Sequence, residues 1–148
     1  MILLPDLYKI YLQHPNVVID SRKVVKDCLF FALRGEKLDG NQFAEIAIQN
    51  GASFAIIDNP AFQKSNQYLL VEDVLKTMQD LARFHREHFE IPVIAITGSN
   101  GKTTTKELVN AVLKSHYNVH STQGNFNNHI GVPLTLLAMR QTTEIAIV

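Results

Sequence analysis

The sequence predicts an α/β protein in two parts, and three observations support this. Residues 1–90 alternate short β-branched segments with helical patterns, which predicts a small α/β domain. The stretch "EIPVIAITG" at residues 90–98 is an apolar run typical of a strand buried on both faces of a parallel sheet. Glycines and a helical pattern follow it, as at the opening of a nucleotide-binding domain. We therefore predict that a second, mostly parallel-sheet domain occupies residues 91–148.

The composition excludes several classes of protein. Hydrophobic residues make up 46% of the chain, and no apolar run approaches the roughly 20 residues that span a bilayer. The start, "MILLPDLYKIYLQHP", lacks the features of a signal peptide, so we expect a cytoplasmic protein without membrane insertion. Fourteen basic residues balance fourteen acidic ones without clustering, which argues against a nucleic-acid partner. The single cysteine, Cys28, has apolar neighbours and is interpreted as a small buried hydrophobe.

Local patterns predict the elements of the first part in order. From Val17 to Leu33, "VVI" and "CLFFAL" predict two strands around the polar loop "DSRKVVKD". "NQFAEIAIQNGA" predicts a helix closed by Gly51, and "SFAIID" and "YLLV" predict strands joined by the turn-rich "NPAFQKSNQ". Asp73 is placed to cap the amphipathic helix "VLKTMQDLARFHREHF", which ends before Pro92.

Two histidines on that last helix are weak candidates for a metal site. His85 recurs with the apolar residues of one face, and His88 lies three residues later, a spacing that metals can use. No third ligand is evident in the sequence. We therefore expect both side chains to be solvated or to cap the helix.

The second part is predicted to contain further strands and helices. The patterns indicate a helix from about Thr103 to Ser115, a strand near "YNVHST", a polar loop "QGNFNN", a helix "VPLTLLAM" and a final strand "EIAIV". The final strand reaches Val148, and the segment after residue 90 has only about 58 residues, whereas an α/β domain usually has ~100 to 150. We therefore expect this part to be the truncated beginning of a larger domain.

The strongest candidate site is the loop "TGSNGKTTT" at residues 97–105. In such a loop, glycines let backbone N–H groups converge on phosphate oxygens, a lysine reaches the β and γ phosphates, and a hydroxyl binds Mg²⁺. The sequence therefore predicts ATP binding, with Lys102 also catalytic and Thr103 holding Mg²⁺. The residues assigned to ATP are Gly98, Ser99, Asn100, Gly101, Lys102, Thr103 and Thr104.

One alternative and one irregularity accompany this prediction. The loop could be a plain strand-to-helix turn in which the threonines cap the helix and Lys102 is solvated. The apolar run before it and the amphipathic helix after it favour nucleotide binding. The common phosphate loop has its first glycine five residues before the Gly-Lys pair, and here Ile96 holds that place.

The pattern Thr-Gly-x-Asn-Gly-Lys-Thr-Thr at residues 97–104 resembles the ATP loop of the Mur ligases and folylpolyglutamate synthetases, in which the shorter spacing is normal. Residues 19–58 are similar to the amino-terminal UDP-sugar-binding domain of Mur ligases. "GNFNNHIGVPLTLL", residues 124–137, looks like the corresponding stretch of the branch that adds a dipeptide. Together these matches span most of residues 17–148.

The resemblance implies an ATP-dependent, amide-forming ligase of peptidoglycan precursor synthesis. Residues 1–90 would bind UDP-N-acetylmuramoyl-tripeptide, and residues 91–148 would begin the ATP-binding domain. ATP and Mg²⁺ would activate the tripeptide carboxylate as an acyl phosphate, which the amine of D-alanyl-D-alanine attacks. The family's second metal ligand, carbamylated lysine, adenine site and carboxy-terminal domain would come after Val148. We therefore expect these 148 residues to be inactive alone.

The resemblance also assigns substrate contacts. Two loops would meet the uridine or its phosphates, although both also have the character of ordinary turns. The residues concerned are Asp20, Ser21 and Arg22 in the first loop and Glu36, Lys37 and Leu38 in the second. Amides that donate and accept hydrogen bonds would contact substrate or the ATP site from a third loop, with loop capping as the alternative. These amides are Asn125, Asn127 and Asn128.

Other functions stay open at this point. The Mur ligase branch that adds the third amino acid would show two threonines where this chain has Phe126 to Asn128. A folylpolyglutamate synthetase would have glycine after Gly-Lys and would lack the leading domain. A free-standing UDP-sugar-binding or nucleotide-binding module is the non-enzymatic alternative.

Overall fold

A computed structural model describes residues 1–36, 38–124 and 126–148 of the chain. They form two compact units, Met1–Ala82 and Arg83–Val148. Each unit contains a parallel sheet with helices, which confirms the predicted α/β class. The domain boundary proposed near residue 90 stays a prediction, since the division in the structure falls inside a helix.

The first unit is built on a four-stranded parallel sheet with the strand order β1-β2-β3-β4. Its strands are β1 (Val17–Val18), β2 (Leu29–Phe31), β3 (Phe54–Ile57) and β4 (Tyr68–Leu70), and its helices are α1 (Leu4–Gln13), α2 (Ala44–Gln49) and α3 (Val74–Glu87), the last crossing into the second unit. The four strands and the two later helices were predicted. Asp73 caps α3 as expected, because its Oδ1 accepts from the Lys76 N–H at 2.8 Å.

Helix α1 was not predicted. Pro5 stands in its first turn, where a missing N–H costs no hydrogen bond, and the helix buries Leu7, Tyr8 and Tyr11. This spacing of three and four residues is helical, but the segment is short and its apolar residues also suit a loop.

One hydrophobic core cluster of the first unit contains residues of its sheet and of α2. Phe30 and Ala55 from the central strands pack with Ala44 and Ala47 of the helix. Cys28 is fully buried in the same cluster, as predicted, and burial raises the pKa of its thiol. A thiol held in its neutral form is a poor nucleophile, so the structure gives Cys28 a packing role.

The second unit contains a three-stranded parallel sheet with the order β5-β7-β6. Its elements are β5 (Val93–Ile94), α4 (Lys102–Leu113), β6 (Val119–Ser121), α5 (Gly131–Leu137) and β7 (Ile145–Ile147). The strand at the centre, β7, is buried throughout. Among residues 1–36, 38–124 and 126–148, every helix is too short or too polar to span a bilayer.

The expectation that β5 is a long strand buried on both faces was wrong. Only Val93 and Ile94 form the strand, and both are half-buried. Within the described chain, β5 has a partner on one side only, β7, which leaves its other edge uncovered. The ladder nevertheless continues to Ile96, whose N–H donates to the Val148 carbonyl at 2.9 Å. Ile96 therefore belongs to the sheet, and the glycines of the loop begin after it.

His85 is buried, so the expectation that it is solvated or caps the helix was wrong. It is 4% exposed, its Nε2 lies 3.3 Å from the Met139 carbonyl oxygen, and its ring meets that of Phe89 edge to face. The apolar face of α3 carries the imidazole into the core. His88 is exposed, and its Nδ1 donates to the Phe84 carbonyl at 2.7 Å, which confirms the capping role expected of it.

The buried His85 and the half-buried His120 predict that the second unit loses stability in acid. Burial is the main cause that lowers the pKa of His85 and His120, and nearby Arg140 adds to it. The folded state therefore favours neutral imidazole, and as pH falls through the ordinary value of 6.5 the unfolded state binds more protons. We expect the thermal midpoint to fall by a few degrees between about pH 7.5 and pH 5.5.

The variant His120→Gln tests this effect by calorimetry at several pH values. Glutamine keeps a donor for the Thr135 carbonyl, which His120 Nε2 meets at 2.7 Å, and removes the titrating group. We expect the thermal midpoint of His120→Gln to depend less steeply on pH than that of the wild type. The exposed control His116→Gln should keep the wild-type slope. Equal slopes in all three proteins would contradict the assignment.

Candidate functional site

The loop between β5 and α4 has the backbone shape that an anion site needs. Gly98 and Gly101 adopt φ values of +150° and +80°, which residues with a side chain rarely adopt. Gly101 is the N-cap of α4 and, in the described part of the chain, no side chain caps this helix. The N–H groups of its first turn are therefore available to phosphate oxygens, which the helix dipole also attracts.

Lys102 turns back over this loop. Its Nζ donates to the Gly98 carbonyl oxygen, and its side chain is half-buried. Thr103 is exposed and lines the same cleft as Lys102. The other predicted residues of the loop and first turn, Ser99, Asn100 and Thr104, are exposed beside them. The arrangement places an ammonium, a hydroxyl and a helix N-terminus where one phosphate chain could meet them all.

The loop that follows β6 forms part of the same cleft. Phe126 and Asn127 line it together with Lys102 and Thr103, so the structure brings the two predicted loops together. Asn128 Oδ1 accepts from the Ile130 and Gly131 N–H groups at 3.0 and 2.8 Å. This is the capping alternative, observed for Asn128. Asn125 lies outside the described residues.

The loop that follows β1 is a capped turn. Asp20 accepts from the Arg22 backbone N–H at 3.0 Å and from its guanidinium at 2.9 and 2.7 Å. The hydrogen bonds from the Arg22 guanidinium, and to a smaller extent from its backbone N–H, lower the pKa of Asp20 to about 2. Asp20 thereby starts the short 3₁₀ helix Ser21–Lys23, which matches the ordinary-turn alternative. Arg22 is 86% exposed at this turn, within reach of a ligand in solution.

The loop that follows β2 is a tight hairpin. Gly35 N–H donates to the Leu38 carbonyl at 2.8 Å, and Arg34 and Asp39 form an isolated antiparallel bridge. Glu36 and Leu38 are exposed at its tip, the latter by 65%. Lys37, which was also predicted to contact the uridine, lies outside the described residues.

A fully buried amide holds this hairpin, and it was not predicted. Asn41 Nδ2 donates to Asp39 Oδ1 at 2.7 Å and to Asp58 Oδ1 at 2.8 Å. Its Oδ1 accepts from the Asp58 and Asn59 N–H groups at 3.1 and 3.3 Å. Arg34 Nε completes the network with a 2.9 Å contact to Asp58. Local pattern cannot find this role, because the main partners lie 17 and 18 residues later.

We expect Asn41→Leu to lower the free energy of unfolding by about 2–4 kcal/mol, because the change strands buried donors and carboxylate oxygens without filling a cavity. Chemical denaturation followed by circular dichroism measures this. Gln42→Leu is the matched control, because Gln42 is the next residue in the chain and its side chain is exposed. Equal stability of the two variants would show that the amide network contributes nothing beyond packing.

In both units the predicted site residues follow the carboxyl ends of parallel strands. In the first, Asp20 comes after β1 and the hairpin comes after β2. In the second, the loop before α4 follows β5, and Asn127 follows β6. Open parallel sheets commonly bind ligands at this edge, so the predicted site residues of each unit lie where this class of fold offers a site.

Two sequence models of known families match the chain. The model described as "Mur ligase family, catalytic domain" matches residues 15–111, and "Mur ligase middle domain" matches residues 96–148. The chain belongs to the Mur ligase family. This confirms the resemblance seen in the sequence.

Curated members of the Mur ligase family are similar over most of the chain. It is 46% identical to the UDP-N-acetylmuramoyl-tripeptide–D-alanyl-D-alanine ligase of Bacillus subtilis, covering 89% of this chain and 29% of that protein. The same-named ligase of Synechocystis sp. is 46% identical over 90% of this chain and 30% of its own length. The chain thus spans about three tenths of these relatives.

Solved Mur ligase structures share the fold. A MurF structure from Acinetobacter baumannii has a TM-score of 0.81 and 35% identity, covering 89% of this chain and 29% of that one. MurF ligase from Thermotoga maritima in complex with ADP has the same TM-score and identity, covering 92% and 32%. A UDP-N-acetylmuramoyl-L-alanyl-D-glutamate–2,6-diaminopimelate ligase has a TM-score of 0.53 and 23% identity over 89% and 31%, a likeness of fold alone.

Proposed function

We propose that this chain is part of an ATP-dependent ligase that joins D-alanyl-D-alanine to UDP-N-acetylmuramoyl-tripeptide. The observation that carries the proposal is the cleft where Lys102 and Thr103, at the uncapped start of α4, meet Asn127. The name shared by the relatives at 46% identity supports this substrate pair. The greater likeness to MurF structures than to the diaminopimelate-adding ligase favours the dipeptide-adding branch.

The phosphates of ATP fit the loop before α4. Backbone N–H groups of the first turn would bind phosphate oxygens, and Gly98 and Gly101 supply the torsions that aim them. Lys102 would exchange its contact with the Gly98 carbonyl for the β and γ phosphates. The T. maritima relative in complex with ADP supports this use of the fold.

The proposed reaction has two steps. A carboxylate oxygen of the tripeptide attacks the γ-phosphorus, the bond to the ADP oxygen breaks, and an acyl phosphate forms. The dipeptide amine then attacks the acyl carbon, loses its proton, and expels inorganic phosphate. Lys102 lowers the barrier of the first step by neutralising charge on the transferred group and holding it in line.

Mg²⁺ fits the hydroxyl of Thr103, which is exposed in the same cleft as Lys102. Bound there, the ion would neutralise charge on the phosphates. The described residues contain no group of three histidine, cysteine or acidic side chains that could hold a metal. Phosphate oxygens and water would supply further ligands.

The first unit would bind the UDP end of the substrate at the carboxyl edge of its sheet. We assign this role to Ser21 and Arg22 after β1 and to the hairpin after β2, with Asp20 orienting Arg22. Glu36, Lys37 and Leu38 would contribute mainly through their peptide groups. Asn125 and Asn127 would contact substrate or ATP, and Asn128 would shape their loop by capping α5.

The partners that this function requires are small molecules, and we place the enzyme in the cytoplasm. The test is ADP release by the full-length ligase that contains this chain. We expect turnover only with ATP, UDP-N-acetylmuramoyl-tripeptide and D-alanyl-D-alanine together. Turnover with UDP-N-acetylmuramoyl-dipeptide and a single amino acid instead would assign the protein to the Mur ligase branch that adds the third amino acid. Residues 1–148 alone are the negative control.

A further inference from the structure

Lys106 is a buried cation to which neither the sequence nor the family resemblance assigned a role. It lies one helical turn after Lys102 on α4 and is 7% exposed. Its Nζ donates to the Thr122 carbonyl at 2.6 Å and to the Gly124 carbonyl at 3.4 Å. The carboxylate of Glu107, 61% exposed, lies 3.0 Å away. Burying an ammonium is costly, and these acceptors offset that cost.

The two carbonyls belong to the start of the loop that lines the nucleotide cleft. Thr122 directly follows β6, and its N–H is fixed to the Ile147 carbonyl at 2.9 Å. Gly124, at φ +53°, then turns the chain toward Phe126 and Asn127. Lys106 therefore ties this turn to the helix that carries Lys102, and it joins the two walls of the cleft.

Fold stability alone does not account for a lysine at this place. An apolar side chain of similar length would fill the same volume without a charge to desolvate, although it would leave the Thr122 carbonyl without this donor. What an apolar side chain cannot do is direct two carbonyl groups. The lysine sets the path of the loop rather than filling space.

We propose that Lys106 is a positioning residue that holds Thr122 and Gly124 against α4, so that Asn127 faces the bound substrates. The proposal rests on the proposed function, because it concerns the same cleft. Its effect should be on ligation rather than on nucleotide affinity, since the phosphate contacts proposed above come from Lys102 and the N-terminus of α4 and do not include Lys106.

The test compares Lys106→Met with Lys106→Arg in the full-length ligase. We expect the methionine variant to fold with a thermal midpoint lowered by only a few degrees, because the Thr122 carbonyl loses a donor, and to lose ~10- to 100-fold in kcat/KM for the UDP-tripeptide. Its dissociation constant for ADP, measured by calorimetry, should stay within about threefold. Arginine, which can donate to two carbonyls at once, should recover part of the loss. Lys114→Met, at an exposed position after α4, is the matched control and should match the wild type.

Each outcome decides the proposal. Unchanged ligation in the methionine variant overturns it, and so does an ADP affinity that falls as much as ligation, which would place Lys106 directly on the phosphates. Should the methionine variant fail to fold, Lys106→Gln, which keeps a donor without the charge, is measured in the same way and under the same criteria. An inactive wild type would instead count against the proposed function and not against the role of Lys106.

Discussion

Replacing Lys102 by alanine is expected to weaken ADP and ATP binding to the full-length ligase by about 30- to 150-fold, while the thermal midpoint stays within a degree or two of the wild type. A charge-assisted contact to phosphate stabilises the complex by about 2–3 kcal/mol, which gives this range. Stability should hardly change, because Lys102 is only half-buried and its bond goes to a carbonyl of its own loop.

Calorimetric titration with ADP and Mg²⁺ measures the effect of Lys102→Ala. Lys114→Ala is the matched control, since this lysine is exposed beyond the other end of the same helix. Nucleotide affinity that is the same in both variants would contradict the assignment of the phosphate loop.

Replacing Gly40 by alanine is expected to damage the UDP-binding site proposed for the first unit. The added Cβ would lie 2.3 Å from the Leu33 carbonyl oxygen and 2.6 Å from the Ala32 carbonyl carbon, so main-chain atoms would have to move. We expect the free energy of unfolding to fall by about 1–3 kcal/mol and the KM for the UDP-tripeptide to rise about tenfold or more, because the hairpin that follows β2 would shift.

The control for Gly40→Ala lies in the same hairpin. Among the described residues, a Cβ at Gly35 would meet only the Leu38 carbonyl oxygen at 3.6 Å, an ordinary contact, so Gly35→Ala should leave stability and KM near wild type. ADP affinity should not change in either variant, since both changes are in the first unit. Equal KM values for the two glycine variants would contradict the role given to the hairpin.

Features that depend on neighbours in the sequence were the ones that could be predicted. The glycine loop, the cap at Asp73 and the periodic face of α3 are each encoded within a few residues, and the structure has the cap and the helix at the expected positions. The short length of β5 was not predicted, because an apolar run does not reveal how many neighbouring strands will cover it.

Features that depend on distant partners were missed. Asn41 and Lys106 are polar residues whose main acceptors or donors lie 16 to 18 residues away, across a strand-loop connection, and nothing in their local sequence separates them from surface residues. His85 was placed correctly on an apolar face by its spacing and then misassigned to solvent because of its residue type. The spacing of residues predicts which face of α3 carries His85. Whether the imidazole is buried against a carbonyl group depends on the tertiary structure.

A crystal structure of the full-length ligase with Mg·ADP and UDP-N-acetylmuramoyl-tripeptide would locate both nucleotides. We expect the ADP phosphates to lie over the N-terminus of α4, within hydrogen-bond distance of Lys102 and the Gly101–Thr103 N–H groups. We also expect the uridine to lie at the carboxyl edge of the first sheet, beside Ser21, Arg22 and the Arg34–Asp39 hairpin. Phosphates bound away from α4, or a uridine held elsewhere, would contradict the proposed sites.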